Sequence, residues 1–287
     1  MLFTKIKKSL KKPYSKYLNG LLLKKYNNKY ESKIIFKSKY KLVRGTVRPG
    51  TDYDEGWILF LSNKAKIIFD IGCNVGYSTL LMTQSTAQKK IFAVEPNPYS
   101  LSIAAENLII NDLASSVTFI SRAAYNSIDE SIKLWTIPGP FAAASTDVDF
   151  SESGFLADHY ITVKTTTLDH IAANYKVYPD LVKIDVEGVE NAVLEGAVKI
   201  ASKKMTQFIV EVHSSKSLSI IENTEKILLW CKNNDYIAYY LSQHIKLDKS
   251  SIIARRGRYH LLLIHRDAKY PVGLDKINQS DNINNSF

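Results

Sequence analysis

The segment VKIDVEGVE, residues 182–190, holds three acidic residues within six positions: Asp185, Glu187 and Glu190. Asp185 ends an apolar run that is typical of a buried strand. Acidic residues stabilise the N-terminus of a helix, so a solvated strand-to-helix turn is one interpretation of the segment. The other is chemical, because clustering raises the pKa of at least one carboxyl group, and such a group suits a general base.

A second polar strand end lies in QFIVEVH, residues 207–213. Glu211 and His213 are alternate residues of this strand, so their side chains point to the same face. A hydroxyl group is a poor nucleophile, and a base within hydrogen-bond reach could accelerate its reaction by about 10²- to 10⁴-fold. His213 is a candidate for this base, and a substrate-binding or core histidine is the alternative.

The segment FDIGCNVGYST, residues 69–79, has the composition of a ligand-binding loop. Gly72 and Gly76 allow the backbone to turn sharply and to approach a ligand closely. The segment has neither a GxGxxG fingerprint nor the Gly-Lys-Ser/Thr of a phosphate loop. Glu95 ends the next strand, where an acid accepts hydrogen bonds from ribose hydroxyls. A glycine loop and a ribose acid without a phosphate-binding motif indicate S-adenosylmethionine.

Four segments, in this order, resemble the FkbM family of S-adenosylmethionine-dependent methyltransferases: DIGCNVGYST, AVEPNP, KIDVEGVENAVLEGA and IVEVH. The resemblance covers about residues 46–266, and VKIDVEGVE is its most specific part. It implies a class I methyltransferase fold. It also implies methyl transfer to a hydroxyl oxygen, typically on a sugar, a glycolipid or a polyketide.

The resemblance further implies a set of cofactor-binding residues: Asp70, Gly72, Asn74, Gly76, Ser78, Glu95, Asn97, Arg122, Ala123 and Asp185. Those between residues 70 and 76 would line the methionine end of the cofactor, and Glu95 would bind its ribose. Ser121, Arg122 and Ala123 would lie near the adenine. In RPGTDYDEGW, Asp52 and Asp54 would reach the amino group of the cofactor.

The predicted catalytic residues are Asp185, Glu187, Glu211 and His213. Asp185 would end the central strand beside the sulfonium, where it offsets positive charge and holds the acceptor hydroxyl. Glu187 would line the substrate side. Glu190 is predicted to turn back to the N-terminus of its own helix, which is a structural role.

The elements that must position these residues alternate between strands and helices from about residue 66. We predict strands over 66–72, 91–95, 116–121, 180–186 and 207–213, helices over 75–87, 99–110, 189–201 and 219–233, and a terminal hairpin near 236–241 and 258–265. This order predicts an α/β fold of the class I methyltransferase (Rossmann-like) type, with a mostly parallel sheet, helices on both faces and a terminal antiparallel hairpin. Ligands bind such sheets outside the carboxyl ends of the strands.

One stretch departs from this alternation. Two segments with strand patterns, SIKLWTI and HYITVKT, flank a loop rich in Pro, Gly, Ala, Ser and acidic residues. We predict a β-excursion in which the loop 138–154 is a substrate lid, since long loops in compact domains are often functional. Ser145 and Thr146 are its predicted substrate-binding residues.

The 287 residues divide into a basic arm at 1–45, a methyltransferase domain at 46–270 and a tail at 271–287 that is predicted to be disordered. Residues 1–48 contain 13 Lys and 2 Arg against one acid, Glu31, while the other 239 residues carry 23 basic and 27 acidic side chains. Such an arm suits an anionic surface, including an anionic membrane. A solubilising, partly disordered leader is the alternative.

Two cysteines, Cys73 and Cys231, form neither a disulfide framework nor a CxxC metal motif. Their number predicts a reducing, cytoplasmic location, and the basic arm allows peripheral contact with the inner face of the membrane. No apolar run approaches the roughly 18–20 residues of a membrane span. The N-terminal segment has no long apolar core, so we do not expect a secretory signal.

Two other functions compete with methylation of a sugar-like acceptor. The basic arm favours an RNA or DNA methyltransferase, but acids on the acceptor side would repel phosphates, so nucleic acid is not the expected partner. The tripeptide Asn97-Pro98-Tyr99 is similar to the box of amino-methylating enzymes, but it follows the second strand rather than the fourth. A non-catalytic docking module with the same fold is the third possibility. The sequence leaves the metal requirement open.

Overall fold

The computed structural model describes residues 29–36, 38–47, 54–84, 88–136, 144–145, 159–215, 217–253 and 257–279. Its strands are β1 (Tyr30–Ile35), β2 (Ser38–Val43), β3 (Ile67–Ile71), β4 (Lys90–Val94), β5 (Val117–Ile120), β6 (Ala123–Ala124), β7 (Ser131–Thr136), β8 (Ala144–Ser145), β9 (His159–Thr166), β10 (Leu181–Ile184), β11 (Gln207–His213), β12 (Tyr236–Tyr240), β13 (Ile245–Lys246) and β14 (Arg258–His265). Its α-helices are α1 (Glu55–Ser62), α2 (Tyr77–Met82), α3 (Pro98–Ile109), α4 (Leu168–Tyr175), α5 (Glu190–Glu195), α6 (Val198–Ala201) and α7 (Ile220–Asn233).

Eight strands form the central sheet in the order β13-β12-β14-β11-β10-β3-β4-β5. The strands β5, β4, β3, β10 and β11 are parallel, whereas β14 runs antiparallel to both β11 and β12. This arrangement confirms the mostly parallel sheet with an antiparallel hairpin at one end, which is the class I methyltransferase topology. The chain leaves β3 towards β4 and β5 and later returns to its other side at β10. The switch point between β3 and β10 is therefore where a ligand crevice is expected.

Helices cover both faces of the sheet, which is why its strands are almost continuously apolar. Successive residues of a strand point to opposite faces. In β3, Phe69 packs in the cluster that includes residues of α4 to α7, and Ile68 packs in the cluster that includes residues of α1 and α2. The predicted excursion is also present, since β7 pairs antiparallel with β9 from Ser131–Lys164 to Thr136–His159.

The helix predicted over residues 189–201 is two short helices, α5 and α6. Gly196 and Ala197 separate them, and the Gly196 N–H donates to the carbonyls of Ala192 and Val193. A Cβ at Gly196 would lie 2.4 Å from the carbonyl oxygen of Tyr125. The break therefore lets a neighbouring segment approach the backbone, a contact that the helical pattern of the sequence does not encode.

The N-terminal hairpin β1–β2 is part of the folded domain, although residues up to 45 were predicted to form the arm. The Val43 N–H donates to Asn107 Oδ1 in α3 at 2.8 Å, and the Tyr30 hydroxyl donates to Glu106. The two strands, YESKII and SKYKLV, are short, and half of each is polar or charged, so their sequence does not indicate that they pack on the domain. The folded body extends at least to residue 29.

The tail prediction for residues 271–287 is wrong for the described part, residues 271–279. Leu274 and Ile277 are buried, and the Trp57 indole N–H donates to the carbonyl oxygen of Ile277 at 2.9 Å. Two buried apolar side chains are too sparse to give a periodic signal, yet they suffice to fix this segment against α1. Across the described ranges, no helix has the length and apolar character that a membrane span needs.

Candidate active site

The glycine loop lies at the switch point, between the carboxyl ends of β3 and β10. Gly72 has φ +75°, and its N–H donates to the carbonyl oxygen of Val94 at 2.9 Å. A Cβ at Gly72 would lie 1.8 Å from the backbone oxygen of Asp185. Gly76 has φ +83° and would meet Ala104 at 2.9 Å. Glycine is required at both positions, because the backbone is left-handed and closely packed there.

Glu95 lies directly after β4 and is buried beside this loop. Its Oε2 accepts from the Asn74 N–H at 3.0 Å and its Oε1 accepts from the Asn97 N–H at 2.8 Å. Burial raises the pKa of Glu95 to about 7, although both backbone N–H groups act in the opposite direction. Each oxygen keeps a second acceptor site, so the carboxylate can still receive two ribose hydroxyls.

Two buried side-chain atoms next to Glu95 have no hydrogen-bond partner within the described residues. They are the acceptor Asn74 Oδ1 and the donor Asn97 Nδ2. Buried polar groups are nearly always satisfied, so a partner from outside the chain is expected here. A polar ligand that offers both donors and acceptors, as S-adenosylmethionine does, fits this pair.

Asp70 and Ser78, both predicted to bind the cofactor, bond to one another. The fully buried Asp70 carboxylate accepts from the hydroxyl of Ser78 at 2.9 Å and from that of Thr79 at 2.6 Å. These bonds anchor the first turn of α2 to the end of β3. The contribution of Asp70 is therefore to hold the loop in position, and Thr79 is a partner that sequence reasoning missed.

Lys183 is a buried cation within the central strand, and no role was predicted for it. Its Nζ lies 3.0 Å from Asp185 Oδ2 and 3.9 Å from Asp70 Oδ1. Burial acts to lower the pKa of Lys183, but the carboxylates of Asp185 and Asp70 outweigh it, and the pKa lies above its usual value. Lys183 thus stays charged and orients Asp185. A lysine in an otherwise apolar strand, LVKI, was the available signal.

The four predicted catalytic residues come together at the carboxyl ends of β10 and β11. Nε2 of His213 lies 3.6 Å from Glu211 Oε1, 3.8 Å from Glu187 Oε2 and 4.0 Å from Asp185 Oδ1. The side chains differ in exposure, with 39% for Glu187, 26% for Asp185 and 9% or less for Glu211 and His213. Glu187 and Asp185 therefore face the crevice, with the other two behind them.

Glu190 turns back to the start of α5, as predicted, where its Oε1 accepts from the Gly188 N–H at 2.9 Å. It also contacts two residues outside its own helix. The same Oε1 lies 3.0 Å from His213 Nδ1, and Oε2 accepts from the Asn223 side-chain amide at 2.7 Å. Glu190 is fully buried, so it fixes the orientation of the imidazole ring and directs Nε2 towards the crevice.

The carboxylates of the crevice have divergent proton affinities. Burial raises the pKa of Glu187 to about 7 and also raises that of Asp185. Burial would raise the pKa of Glu211 as well, but its contacts with His213 and His260 hold it well below its usual value. Burial lowers the pKa of His213, but Glu190 and Glu211 outweigh that effect and hold it well above its ordinary value.

A second histidine, His260 in β14, extends the cluster away from the crevice and was not predicted. Its Nε2 lies 3.5 Å from Glu211 Oε2 and 3.6 Å from Asp54 Oδ2. Burial lowers the pKa of His260, yet Asp54 and Glu211 raise it to about 9. The predicted contact of Asp54 with the cofactor's amino group stays a prediction, and Asp52 lies outside the described residues.

The remaining predicted site residues lie at the edge of the sheet or outside the description. Arg122 follows β5, and its guanidinium pairs with Asp129 at 3.0 Å, while Ala123 is buried in β6. The substrate-binding role of Ser145 and Thr146 stays untested, because the structure describes only the backbone of Ser145 and nothing of Thr146. Most of the predicted lid, 138–154, is likewise outside the described residues.

Two curated relatives share part of the sequence. The hexuronic acid methyltransferase AglP of Haloferax volcanii is 30% identical over 149 residues, which are 52% of this chain and 56% of the relative. The methyltransferase sdnD of Sordaria araneosa is 28% identical over 159 residues, which are 45% of this chain and 59% of the relative. The chain thus spans little more than half the length of the curated relatives it matches.

Solved structures match this chain with low sequence identity and low TM-scores. The methyltransferase FkbM of Methylobacillus flagellatus has a TM-score of 0.43 and 15% identity, with 77% of this chain and 45% of that chain covered. TYW2 of M. jannaschii in complex with AdoMet has a TM-score of 0.43 and 14% identity, with 82% and 84% covered.

The family described as Methyltransferase FkbM domain matches residues 70–238. This stretch begins at Asp70 before the glycine loop, includes the VKIDVEGVE and IVEVH segments, and ends within β12. Because the match covers more than half of the chain, this protein belongs to the FkbM methyltransferase family, whose cofactor is S-adenosylmethionine.

Proposed function

We propose that the protein transfers a methyl group from S-adenosylmethionine to a hydroxyl oxygen of a sugar or sugar-like acceptor. The observation that carries the proposal is the position of the acidic cluster. A Cβ on Gly72 would touch the backbone of Asp185, so the glycine loop and the crevice carboxylates adjoin. A cofactor bound by the loop and Glu95 would lie next to groups able to receive a proton.

When bound, S-adenosylmethionine supplies an activated methyl group: its S–CH₃ bond breaks, sulfur keeps the electron pair, and the hydroxyl oxygen bonds the carbon. Asp185, held by Lys183, orients the acceptor hydroxyl and offsets nearby positive charge. Glu187 takes the hydroxyl proton in this proposal, because it is the most exposed member of the cluster. Its pKa of about 7 suits a group that must accept a proton near neutral pH.

His213 is not the proton acceptor in this proposal. Its Nδ1 is engaged by Glu190, and the surrounding carboxylates hold its pKa well above the ordinary value. In the site without a bound cation, the imidazole therefore carries its proton at neutral pH and cannot accept another. The sequence left two candidates for the base, a carboxyl group of the cluster and His213. We propose that Glu187 is the base and that His213 has a positioning role behind it.

The acceptor class is supported by the relative that acts on a hexuronic acid and by the charge of the crevice. A hexuronic acid offers two kinds of oxygen, the neutral hydroxyls and the anionic carboxylate. The carboxylates of Asp185, Glu187 and Glu211 would repel an anionic acceptor oxygen but not a neutral one. A hydroxyl also needs a base, which the site offers, whereas a carboxylate does not.

The test is methyl transfer from labelled S-adenosylmethionine to three acceptors: a hexuronic acid-terminated glycan, its neutral hexose counterpart and a structured RNA. We expect label in the glycans, and we expect it to survive mild alkali, because methyl ethers are stable there and methyl esters hydrolyse. Alkali-labile label would overturn the hydroxyl assignment and leave the methyltransferase in place. Label in the RNA alone would favour the nucleic-acid alternative.

We further propose that the basic N-terminal arm attaches the enzyme to an anionic membrane surface. Residues 1–28 contain eight lysines and no acidic residue. Near an anionic bilayer each lysine contributes about 1 kcal/mol to binding. Such attachment would place the enzyme close to lipid-linked acceptors.

A further inference from the structure

Three carboxylates approach one buried histidine nitrogen without bonding to it. The distances from His213 Nε2 to Glu211, Glu187 and Asp185 are 3.6, 3.8 and 4.0 Å. These separations exceed the normal range of hydrogen bonds. One ligand atom each from Asp185, Glu211 and His213 lies within 4.8 Å of the other two. Donor atoms that converge in this way leave space for a small cation between them.

The far side of the His213 ring is fixed by a carboxylate. Nδ1 bonds Glu190, which is fully buried and is itself held by Gly188 and Asn223. A histidine that ligates a metal almost always donates its other ring N–H to such a group, which sets the tautomer and directs the free nitrogen at the metal. The bond with Glu190 leaves Nε2 as the nitrogen that faces Asp185 and Glu211.

A separate observation comes from the other oxygen of Glu211. His260 is only 4% exposed, and its Nε2 has no hydrogen-bond partner among the residues that the structure describes. This nitrogen lies 3.5 Å from Glu211 Oε2 and 3.6 Å from Asp54 Oδ2, on the side of Glu211 away from the crevice. Asp54, Glu211 and His260 thus form a second group whose ligand atoms lie within 4.8 Å of one another. An unsatisfied buried nitrogen beside Glu211 indicates that the side chains alone do not complete the polar contacts around this carboxylate.

We propose that Asp185, Glu211 and His213 bind a divalent cation that also binds the acceptor hydroxyl; this inference rests on the proposed hydroxyl methylation. One imidazole and two carboxylates suit a first-row cation such as Mn²⁺ better than Mg²⁺ or Ca²⁺, which prefer oxygen ligands alone. Three protein ligands leave coordination positions open. The acceptor oxygen occupies one of them, the cation lowers its proton affinity, and Glu187 takes the proton.

The charge of the cluster agrees with a cation. Its charged members are the carboxylates of Asp54, Asp185, Glu187, Glu190 and Glu211 and the cations of Lys183 and Arg258. The five carboxylates therefore outnumber the two permanent cations by three, and either a divalent ion or protons on the two imidazoles would offset two of these charges. His213 Nε2 can hold either a proton or the ion, so a direct measurement of ion binding distinguishes between the two.

The deciding experiment uses the full-length protein, stripped of metal with a chelator, and Mn²⁺ alone. We expect calorimetry to detect one Mn²⁺ site, and we expect the spin-echo spectrum of the bound ion to contain nitrogen coupling from an imidazole. Asp185→Asn and His213→Gln should each weaken Mn²⁺ binding by about tenfold or more, and His213→Gln should also remove the nitrogen coupling. The matched control is Asp267→Asn, because Asp267 also lies 3.5 Å from a histidine, His265, and no second carboxylate pairs with that histidine among the described residues. It should bind Mn²⁺ like the parent.

Absence of Mn²⁺ binding by the parent protein would overturn the proposal, as would bound Mn²⁺ without nitrogen coupling. Both results are measured on the parent protein, so they test the proposal even if a variant fails to fold. Methyl transfer that persists after chelation, in a protein that binds no Mn²⁺, would remove the ion and keep the proposed function. Mn²⁺ binding without transfer to any hydroxyl acceptor would keep the ion site and remove the function.

Discussion

The two sides of the crevice are formed by different kinds of chemical group. On the proposed cofactor side, around β3 and β4, the site consists mainly of backbone: two glycines with positive φ, and Glu95 held by the N–H groups of Asn74 and Asn97. On the proposed acceptor side, around β10 and β11, it consists of charged side chains that surround His213. The cofactor side is thus fixed by covalent geometry and sterics, and the acceptor side by electrostatics.

This difference determines how each side responds to substitution. Where the packed backbone leaves no space for a Cβ, a single added methyl group can prevent cofactor binding. A charged cluster with several members redistributes protons when one member is lost, so its response is graded and depends on pH. The four predictions that follow test this contrast, from the largest expected effect to the smallest.

Gly72→Val should abolish cofactor binding. Its Cβ would overlap the backbone oxygen of Asp185, 1.8 Å away, and its positive φ disfavours a branched side chain. We expect a loss of about 3 kcal/mol or more of folding stability and no measurable binding of S-adenosylmethionine by calorimetry. The matched control is Gly273→Ala, which also has positive φ but has only Phe60 carbons at 3.6 Å or more. It should cost about 1 kcal/mol and leave binding unchanged. Parent-like binding by Gly72→Val would show that the loop is not the cofactor site.

Glu187→Gln should lower kcat by about 10²- to 10⁴-fold and leave cofactor affinity nearly unchanged, because it removes the proton acceptor but keeps the shape of the side chain. Single-turnover methyl transfer, with calorimetry on the same sample, separates the two effects. Glu195→Gln is the control, since Glu195 is exposed and bonds Asn126 away from the crevice. Full activity in Glu187→Gln would return Glu187 to the role of a solvated turn residue.

The contrast also explains what the sequence could predict. The glycine loop and Glu95 are local features, one short segment and the next strand end, so the pattern of residue types could predict both, and the fold brings them together. The α/β order and the strand β11 were equally readable, because apolar periodicity is local. Lys183, Asp54 and His260 were not assigned their contacts, because those contacts form only when β10, α1 and β14 meet in the folded sheet. Pairings of this kind depend on strand order, and spacing along the chain does not contain them.

Cofactor affinity should fall as the pH drops below 7, owing to Glu95. Burial raises its pKa to about 7, so the carboxyl group is neutral at lower pH and charged at higher pH. The charged form accepts two ribose hydroxyls, whereas the neutral form gives up one acceptor position to its own proton. We expect binding of S-adenosylmethionine to weaken by at most about tenfold per pH unit below 7, as measured by calorimetry between pH 8 and pH 5.5.

Glu95→Gln is the control for this pH dependence. It keeps the size of the side chain and removes its titration, so its affinity should be lower than that of the parent at pH 8 but nearly constant across the range. A parent protein with pH-independent affinity would contradict the assignment of the ribose to Glu95. An equal slope in Glu95→Gln would transfer the effect to another group.

Deletion of residues 1–28 should have the smallest effect on either side of the crevice, with cofactor affinity and transfer to a soluble acceptor within about twofold of the parent. The folded body includes the hairpin from Tyr30, which is fixed to α3 through Glu106 and Asn107, so the cut falls before these contacts. What should change is co-sedimentation with anionic vesicles. Half of the eight lysines, at about 1 kcal/mol each, would account for about 4 kcal/mol of membrane binding.

This deletion needs two controls: a longer deletion and vesicles of neutral lipid. Deletion to residue 45 also removes β1 and β2, so it should lower the melting temperature, whereas the shorter deletion should not. Binding of the parent to neutral vesicles should be weak, and binding to anionic ones should fall as salt rises, because exposed charges are screened beyond about 8 Å at physiological ionic strength. Equal sedimentation of the parent and the shorter deletion with anionic vesicles would remove the docking role. If the short deletion folds but no longer methylates a soluble acceptor, the arm instead belongs to the acceptor side of the crevice. Acceptor binding would then require the arm in addition to the charged side chains around His213.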